Sequence, residues 1–369
     1  MAKAKAVSSE TNLENAGGDP QSISPKHINR LKILGLFLTI IGIGLFSYFV
    51  YSVGVSEIAG NVQLFGIAGF VIILTMYFAR ILMRAAAWKL SVYEPYSLRL
   101  RDTVPAVIIG EAMSSMLPLG ILISGTAKAV AVRKRVPIVV GLSSVATENL
   151  FYSFTTSVFL MLGAFVFARS FELERGWIIT INILICALVG LLILGITMIV
   201  RQWHFASELC ELIYRRGFAQ RILENGRLDV RLFENFIYGF YRKYPKRFLP
   251  ICLLESAFHI LGIIEVLFIL SRISQAASQF LNAFVLESVS RLISIVFKLV
   301  PFLVGVDEAG AQFVAETVGI GAGIGITLAI IRKGRVLFWT AVGLILIIKR
   351  NISLREIHGA TETQASRLQ

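Results

Sequence analysis

The sequence predicts an all-α polytopic membrane protein with about seven or eight apolar segments in two repeats, each holding a broken or re-entrant segment. Three observations carry that prediction. Of 369 residues, 56% are hydrophobic and 16% charged, where a soluble domain carries roughly a quarter charged residues. Runs of about twenty apolar residues follow one another, long enough to cross a hydrocarbon core of ~30 Å as helices. In each half, one apolar run is interrupted by prolines and ionisable side chains.

The first 25 residues are polar, and no apolar core with a small-residue cleavage site precedes Ile33. They read as a disordered cytoplasmic tail and not as a signal peptide. A first span over Ile33–Val53 follows Lys26, Arg30 and Lys32, whereas the expected loop after it, Gly54–Asn61, holds no lysine or arginine. That asymmetry places the N-terminus in the cytoplasm. A second span over Leu64–Met83 runs into a segment with Arg80, Arg84, Lys89, Arg99 and Arg101, which the same rule places inside.

The run Thr103–Ala127 is flanked by basic clusters on both sides and broken by Pro105, Gly110, Pro118 and Gly120. A single crossing would put one basic flank outside, so the run reads as re-entrant, with its irregular backbone buried in protein or reached by water. Spans over Ile138–Phe167 and Trp177–Val200 close an N-terminal repeat, 26–200. The next stretch, Arg201–Arg247, has ten basic and five acidic residues, with Leu232, Phe233, Phe236, Ile237 and Phe240 at helical spacing. Two placements stay open for it: a basic amphipathic helix on the inner leaflet, or a helix packed on the bundle. The C-terminal repeat, 248–350, opens with a span over Phe248–Leu270 and a broken region, Ala276–Gly310. A span over Ala311–Ile331 follows, ending at the basic stretch Arg332–Arg335. The final run Val336–Ile348 has thirteen residues, about 20 Å of helix and too short to cross alone. Residues 351–369 form a polar tail.

Ionisable residues in hydrocarbon cost around 2.5–3.5 kcal/mol each at the centre of a lone helix and are functional candidates by default. The candidate substrate pathway is Glu111, Pro118, Lys128, Glu148, Arg291, Lys298, Pro301, Asp307 and Glu308; for Glu148 two places stay open, a pair with Lys128 or Arg133 or a position at the membrane interface. Glu255, His259 and Glu265 also lie in apolar sequence; His259 reads as structural. Three cysteines fit no metal spacing, four histidines and the absence of a nucleophile motif leave an enzyme little to work with, and neither metal nor cofactor is expected. The net charge of +13 reflects basic membrane loops and not nucleic-acid binding. The glycines of Gly319–Thr327 point to close helix packing and not to a nucleotide loop.

The stretches "IGEAMSSMLPLGILISGTAKAVAVRKRV" and "LVPFLVGVDEAG" resemble the two signature regions of the lysylphosphatidylglycerol synthase transmembrane, or flippase-like, family. The resemblance is closest to its hopanoid-associated branch and covers most of Ile33–Ile348. Gly110, Glu111, Ser115, Leu117 and Pro118 match the first pattern, and Lys128 stands where a basic residue is usual. Pro301, Gly305, Val306, Glu308 and Gly310 match the second. Two departures stand out. The usual Gly-Gly and acidic residue after the first proline read Ile123, Ser124 and Gly125, and the Gly-Gly after the second proline reads Phe302-Leu303. The close backbone approach of glycine is thus not expected there.

The resemblance implies a multi-pass protein of the bacterial inner membrane that moves a polar-headed lipid across or out of it, without a synthetase domain. Membrane lipids with anionic or polar heads are the implied partners; a homo-oligomer and a lipid-biosynthesis enzyme partner stay open. So do two other functions, a membrane-embedded transferase acting on a lipid carrier and a scaffold that recruits a lipid-modifying enzyme.

Overall fold

The computed structural model describes residues 43, 44, 46–48, 50–52, 54–116, 120–171, 174–201, 205–215, 231, 234, 235, 238–274, 279–297 and 300–350. Among these every regular element is helical. Of the expected first span only 43, 44, 46–48 and 50–52 are described, all helical, while both polar tails, most of the apolar stripe of 201–247, and the candidates Pro118 and Lys298 lie outside the described residues.

The elements are α1 Val55–Leu90, α2 Leu100–Met116, α3 Gly120–Ala131, α4 Ile138–Ser170, α5 Arg175–Arg201, α6 Phe205–Arg215, α7 Pro245–Ile273, α8 Phe280–Val296, a 3-10 turn Pro301–Leu303, α9 Val306–Thr317 and α10 Ala322–Lys349. Among the described residues, four helices are long and apolar enough to cross a membrane: α1, α4, α5 over Arg175–Thr197, and α7. The chain is therefore an all-α multi-pass membrane protein. Helix α5 is mostly exposed, with Ile181 reaching the core, as suits a helix with one side in lipid.

Two expectations need correction. Gly54–Asn61 is not a loop, because Val55 already opens α1 and the change of direction comes at Gly66 (φ 68°, ψ 172°), a backbone region that glycine enters without steric penalty. Nor does Arg332–Arg335 separate two apolar runs. Those residues sit inside the 28-residue helix α10, about 42 Å long, and the expected span Ala311–Ile331 is divided earlier, in the turn with Gly319 (φ 75°) and Gly321 (φ 93°). The short run after the basic cluster is thus the second half of one helix.

The two broken regions are helical hairpins. In the first, Gly110 on α2 lies against Ser124 and Lys128 on α3, where an added Cβ would be 2.7 Å from the Lys128 side chain. In the second, Gly310 on α9 meets Ile293 on α8. At 17 and 12 residues, α2 and α3 span about 25 and 18 Å, short of a full crossing. Helix α10 contacts both hairpins. A Cβ on Gly325 would be 2.4 Å from the Ala311 carbonyl of α9, and one on Gly343 would be 2.4 Å from Ala112 of α2. The close packing expected of the glycine-rich stretch is present at Gly325, while Gly319 and Gly321 serve the turn.

Behind the hairpins, α1 and α7 pack along their length, and a core with Ile73, Val266, Ile269, Leu286 and Leu328 joins them to α8 and α10. Of the 201–247 segment, the described Tyr238 and Phe240 are buried. Phe240 packs with Ala87, Phe151 and Ile251 from α1, α4 and α7, which is the bundle-packed placement for that residue.

Candidate functional site

Between the two hairpins lies a cavity of about 260 Å³. Hairpin α2–α3 contributes Glu111 and Ser115, and hairpin α8–α9 contributes Arg291, Phe302, Leu303 and Asp307. Helix α1 adds Tyr77, Arg80 and Arg84, one face at steps of three and four residues. From α10 come Arg332, Lys333, Arg335 and Trp339. Six basic side chains therefore line the cavity beside two carboxylates, Glu111 and Asp307.

The balancing acids stand one layer back. Glu287 on α8 accepts from Arg80 at 3.2 Å, Arg291 at 2.8 Å and Arg332 at 2.7 Å. Glu265 on α7 pairs with Arg80 at 3.2 Å and with Arg335. Glu148 on α4 takes two hydrogen bonds from Arg84, at 2.7 and 3.1 Å, with the Lys128 ammonium 3.6 Å away. Glu308 pairs with Lys333 and accepts the Gly305 amide at 2.8 Å, which closes the start of α9 with a carboxylate. Aromatic faces complete the cations' surroundings: Arg80 lies 4.3 Å and Arg291 5.2 Å from the Phe258 ring, Arg84 4.4 Å from Tyr152, and Arg335 4.2 Å from Tyr77. Cation–π contact of this kind holds a guanidinium without using its N–H groups.

Of the sequence candidates, Glu111, Arg291 and Asp307 come together on the cavity wall, and Tyr77 donates to Glu111 at 2.8 Å. Pro301 begins the 3-10 turn that carries Phe302 and Leu303 into the cavity. Lys128 and Glu148 are buried behind Arg84 and do not line the cavity. Of the partners expected for Glu148, Lys128 is present, and Arg84 makes the shorter contact. His259 is buried, with Nε2 3.0 Å from the Thr156 hydroxyl and its ring stacked 4.7 Å from Phe159, a structural histidine. No group of metal-binding side chains occurs among the described residues.

The sequence reading missed Tyr77, Arg80, Arg84, Glu287, Arg332, Lys333 and Arg335. Its topology rule assigns arginines near span ends to the cytoplasmic face. The helical spacing Tyr77–Arg80–Arg84 and Arg332–Arg335–Trp339, beside Glu255–Phe258–Gly262–Glu265, was the available signal that these polar faces look inward.

Phe302 and Leu303 occupy the positions where the resemblance expects Gly-Gly, and both keep a left-handed backbone (φ 53° and 52°). The conformation survives without the residue that makes it easy, at roughly 1–2 kcal/mol per position. Leu303→Gly should therefore cost little stability despite losing a side chain, because relief of this strain offsets the lost contacts. A thermal unfolding midpoint in detergent close to that of the parent chain is the expected result, and a large fall would show that the side chain outweighs the strain.

Comparison with curated proteins and with solved structures finds no match. A family-level comparison matches residues 32–343 to the lysylphosphatidylglycerol synthase TM region, a stretch that holds both hairpins and every residue of the cavity wall. On that match over most of its length, with two ion-bearing hairpins meeting at a basic cavity, the chain belongs to the lysylphosphatidylglycerol synthase TM family.

Proposed function

We propose that this protein is a transporter that moves a polar-headed lipid of the aminoacyl-phospholipid, hopanoid or polyprenyl-linked class across or out of the bacterial inner membrane, without altering it chemically. The supporting observation is the layering of charge: six basic side chains on the cavity wall, with Glu148, Glu265, Glu287 and Glu308 behind them. An anionic head entering the cavity meets six cations against two carboxylates, Glu111 and Asp307. Pockets for drug-sized ligands run about 300–1,000 Å³, so a cavity of about 260 Å³ suits a headgroup, while the acyl or isoprenoid tail stays in the bilayer. The hairpins enter and leave by one face, with the N-terminus cytoplasmic, and their short, broken helices free the backbone around the head.

The test is translocation of headgroup-labelled phosphatidylglycerol in vesicles containing the purified protein. Acceleration by the parent chain is expected, with slower transfer by Glu111→Gln, which alters the cavity wall, and by Glu308→Gln, which frees Lys333 and loosens the cap of α9. If both variants moved the label as fast as the parent chain, the roles assigned to the two carboxylates would be wrong. If the parent chain gave no acceleration with phosphatidylglycerol or with a polyprenyl phosphate, the transporter reading would fail.

A further inference from the structure

Beside the cavity, Glu255 on α7 is 0% exposed, and neither of its carboxyl oxygens has a hydrogen-bond partner. Its neighbour Glu148 faces it, with Oε2 likewise without a hydrogen bond and the Lys128 ammonium 3.6 Å from it. Two buried acceptors that face each other, each lacking a hydrogen bond, are an unsatisfied arrangement. One proton changes that: a protonated Glu255 carries an O–H that can be donated to Glu148 Oε2, pairing two of the three unsatisfied oxygens with one hydrogen bond.

The surrounding charges point the same way. Among the described residues, the cavity wall and the layer behind it hold seven basic side chains, the six on the wall and Lys128. Opposite them stand seven carboxylates, the six already placed and Glu255. With every acid ionised the set is neutral. An anionic headgroup upsets that balance by one negative charge in a poorly hydrated site, and one proton on Glu255 restores it. Arg84 joins the two places, lining the cavity while its Nε and Nη2 bind Glu148.

We propose that the Glu148–Glu255 pair is a proton-binding site coupled to headgroup binding in the cavity, so that lipid anion and proton are bound together and carried together. The proposal rests on the transporter reading and adds the coupling ion. In the binding step a proton from water forms the O–H bond of Glu255; release of the lipid returns it to water. Binding linkage is reciprocal, so a proton that favours the anion makes the anion favour the proton, and headgroup affinity rises as pH falls.

The groups facing Glu255 are Arg84 from α1, Lys128 from α3 and Glu148 from α4. On its own helix Cys252 and His259 lie within one turn, and His259 is held by Thr156. The charges of α8 and α10 meet α7 farther along: Arg291 at Phe258, Glu287 at Gly262 and Arg335 at Glu265. Glu255 is thus the acid in this set whose partner is another acid.

The experiment titrates purified protein in a weakly buffered detergent solution at neutral pH with short-chain phosphatidylglycerol, whose phosphodiester does not itself titrate there. A pH indicator follows protons while calorimetry follows binding. The parent chain should take up about one proton per lipid bound, with affinity falling up to about tenfold per pH unit as pH rises. Glu255→Gln, which imitates the protonated form, should bind the lipid without proton uptake and with affinity independent of pH. Binding by the parent chain with no proton uptake overturns the coupling and leaves the transporter reading standing, as does equal uptake by Glu255→Gln. Absence of any lipid binding by the parent chain overturns both. Should Glu255→Gln fail to fold, the pH dependence of parent-chain affinity decides alone: a flat profile with no uptake sinks the proposal.

Discussion

Glu287→Gln is expected to be the most damaging single substitution in the bundle, leaving little monodisperse protein after extraction. Glu287 is fully buried and accepts from three arginines carried by α1, α8 and α10. Glutamine keeps one acceptor but puts an NH₂ group where a carboxylate oxygen held a guanidinium, and it removes the charge. Arg80 and Arg335 would keep Glu265, while Arg291 and Arg332 would lose the carboxylate that holds them. Breaking a buried ion pair by removing one partner costs about 3–5 kcal/mol, a large part of the 5–15 kcal/mol that typically holds a folded protein together. Thermal unfolding in detergent checks this. Glu287→Asp keeps the charge at a shorter reach and should fall between the two. A Glu287→Gln midpoint equal to that of the parent chain would mean that the network is not the tie between these helices.

Arg332→Gln should separate function from stability. Glu287 keeps Arg80 of α1 and Arg291 of its own helix, and α10 stays tied to α7 through Arg335 and Glu265, but the cavity loses one of its cations. A hydrogen bond to a charged group contributes about 1.5–3 kcal/mol, so headgroup binding should weaken by roughly 10–100-fold. Vesicle translocation at low lipid concentration, alongside the unfolding midpoint, reads the two effects apart. Loss of folding together with loss of transport would assign Arg332 to structure, and full transport would remove it from the headgroup site.

Local signals were legible in the sequence. Apolar length placed α4, α5 and α7 within a few residues of their observed ends, since hydrocarbon thickness sets a minimum that each helix must meet. Glycine and proline marked both hairpins because they act on the backbone where they stand. Candidates on the hairpins, Glu111, Arg291 and Asp307, reached the cavity with them. The basic cluster of α10 was misread for a physical reason: a rule that counts arginines as cytoplasmic anchors has no means of seeing carboxylates on other helices that neutralise them. The same applies to Arg80, whose partners Glu265 and Glu287 are 185 and 207 residues away.

By itself, then, the sequence determined that the chain is helical, that it crosses a membrane several times, and that each half contains an interrupted hairpin with charges on it. Only the tertiary structure decided which charges meet, that acids stand behind arginines around one cavity, and that Glu255 is left facing another acid. Helix formation and membrane crossing follow from residues near one another in the chain. The energy of a buried charge depends on its partner across a poorly polarisable interior, and the partner is chosen by packing.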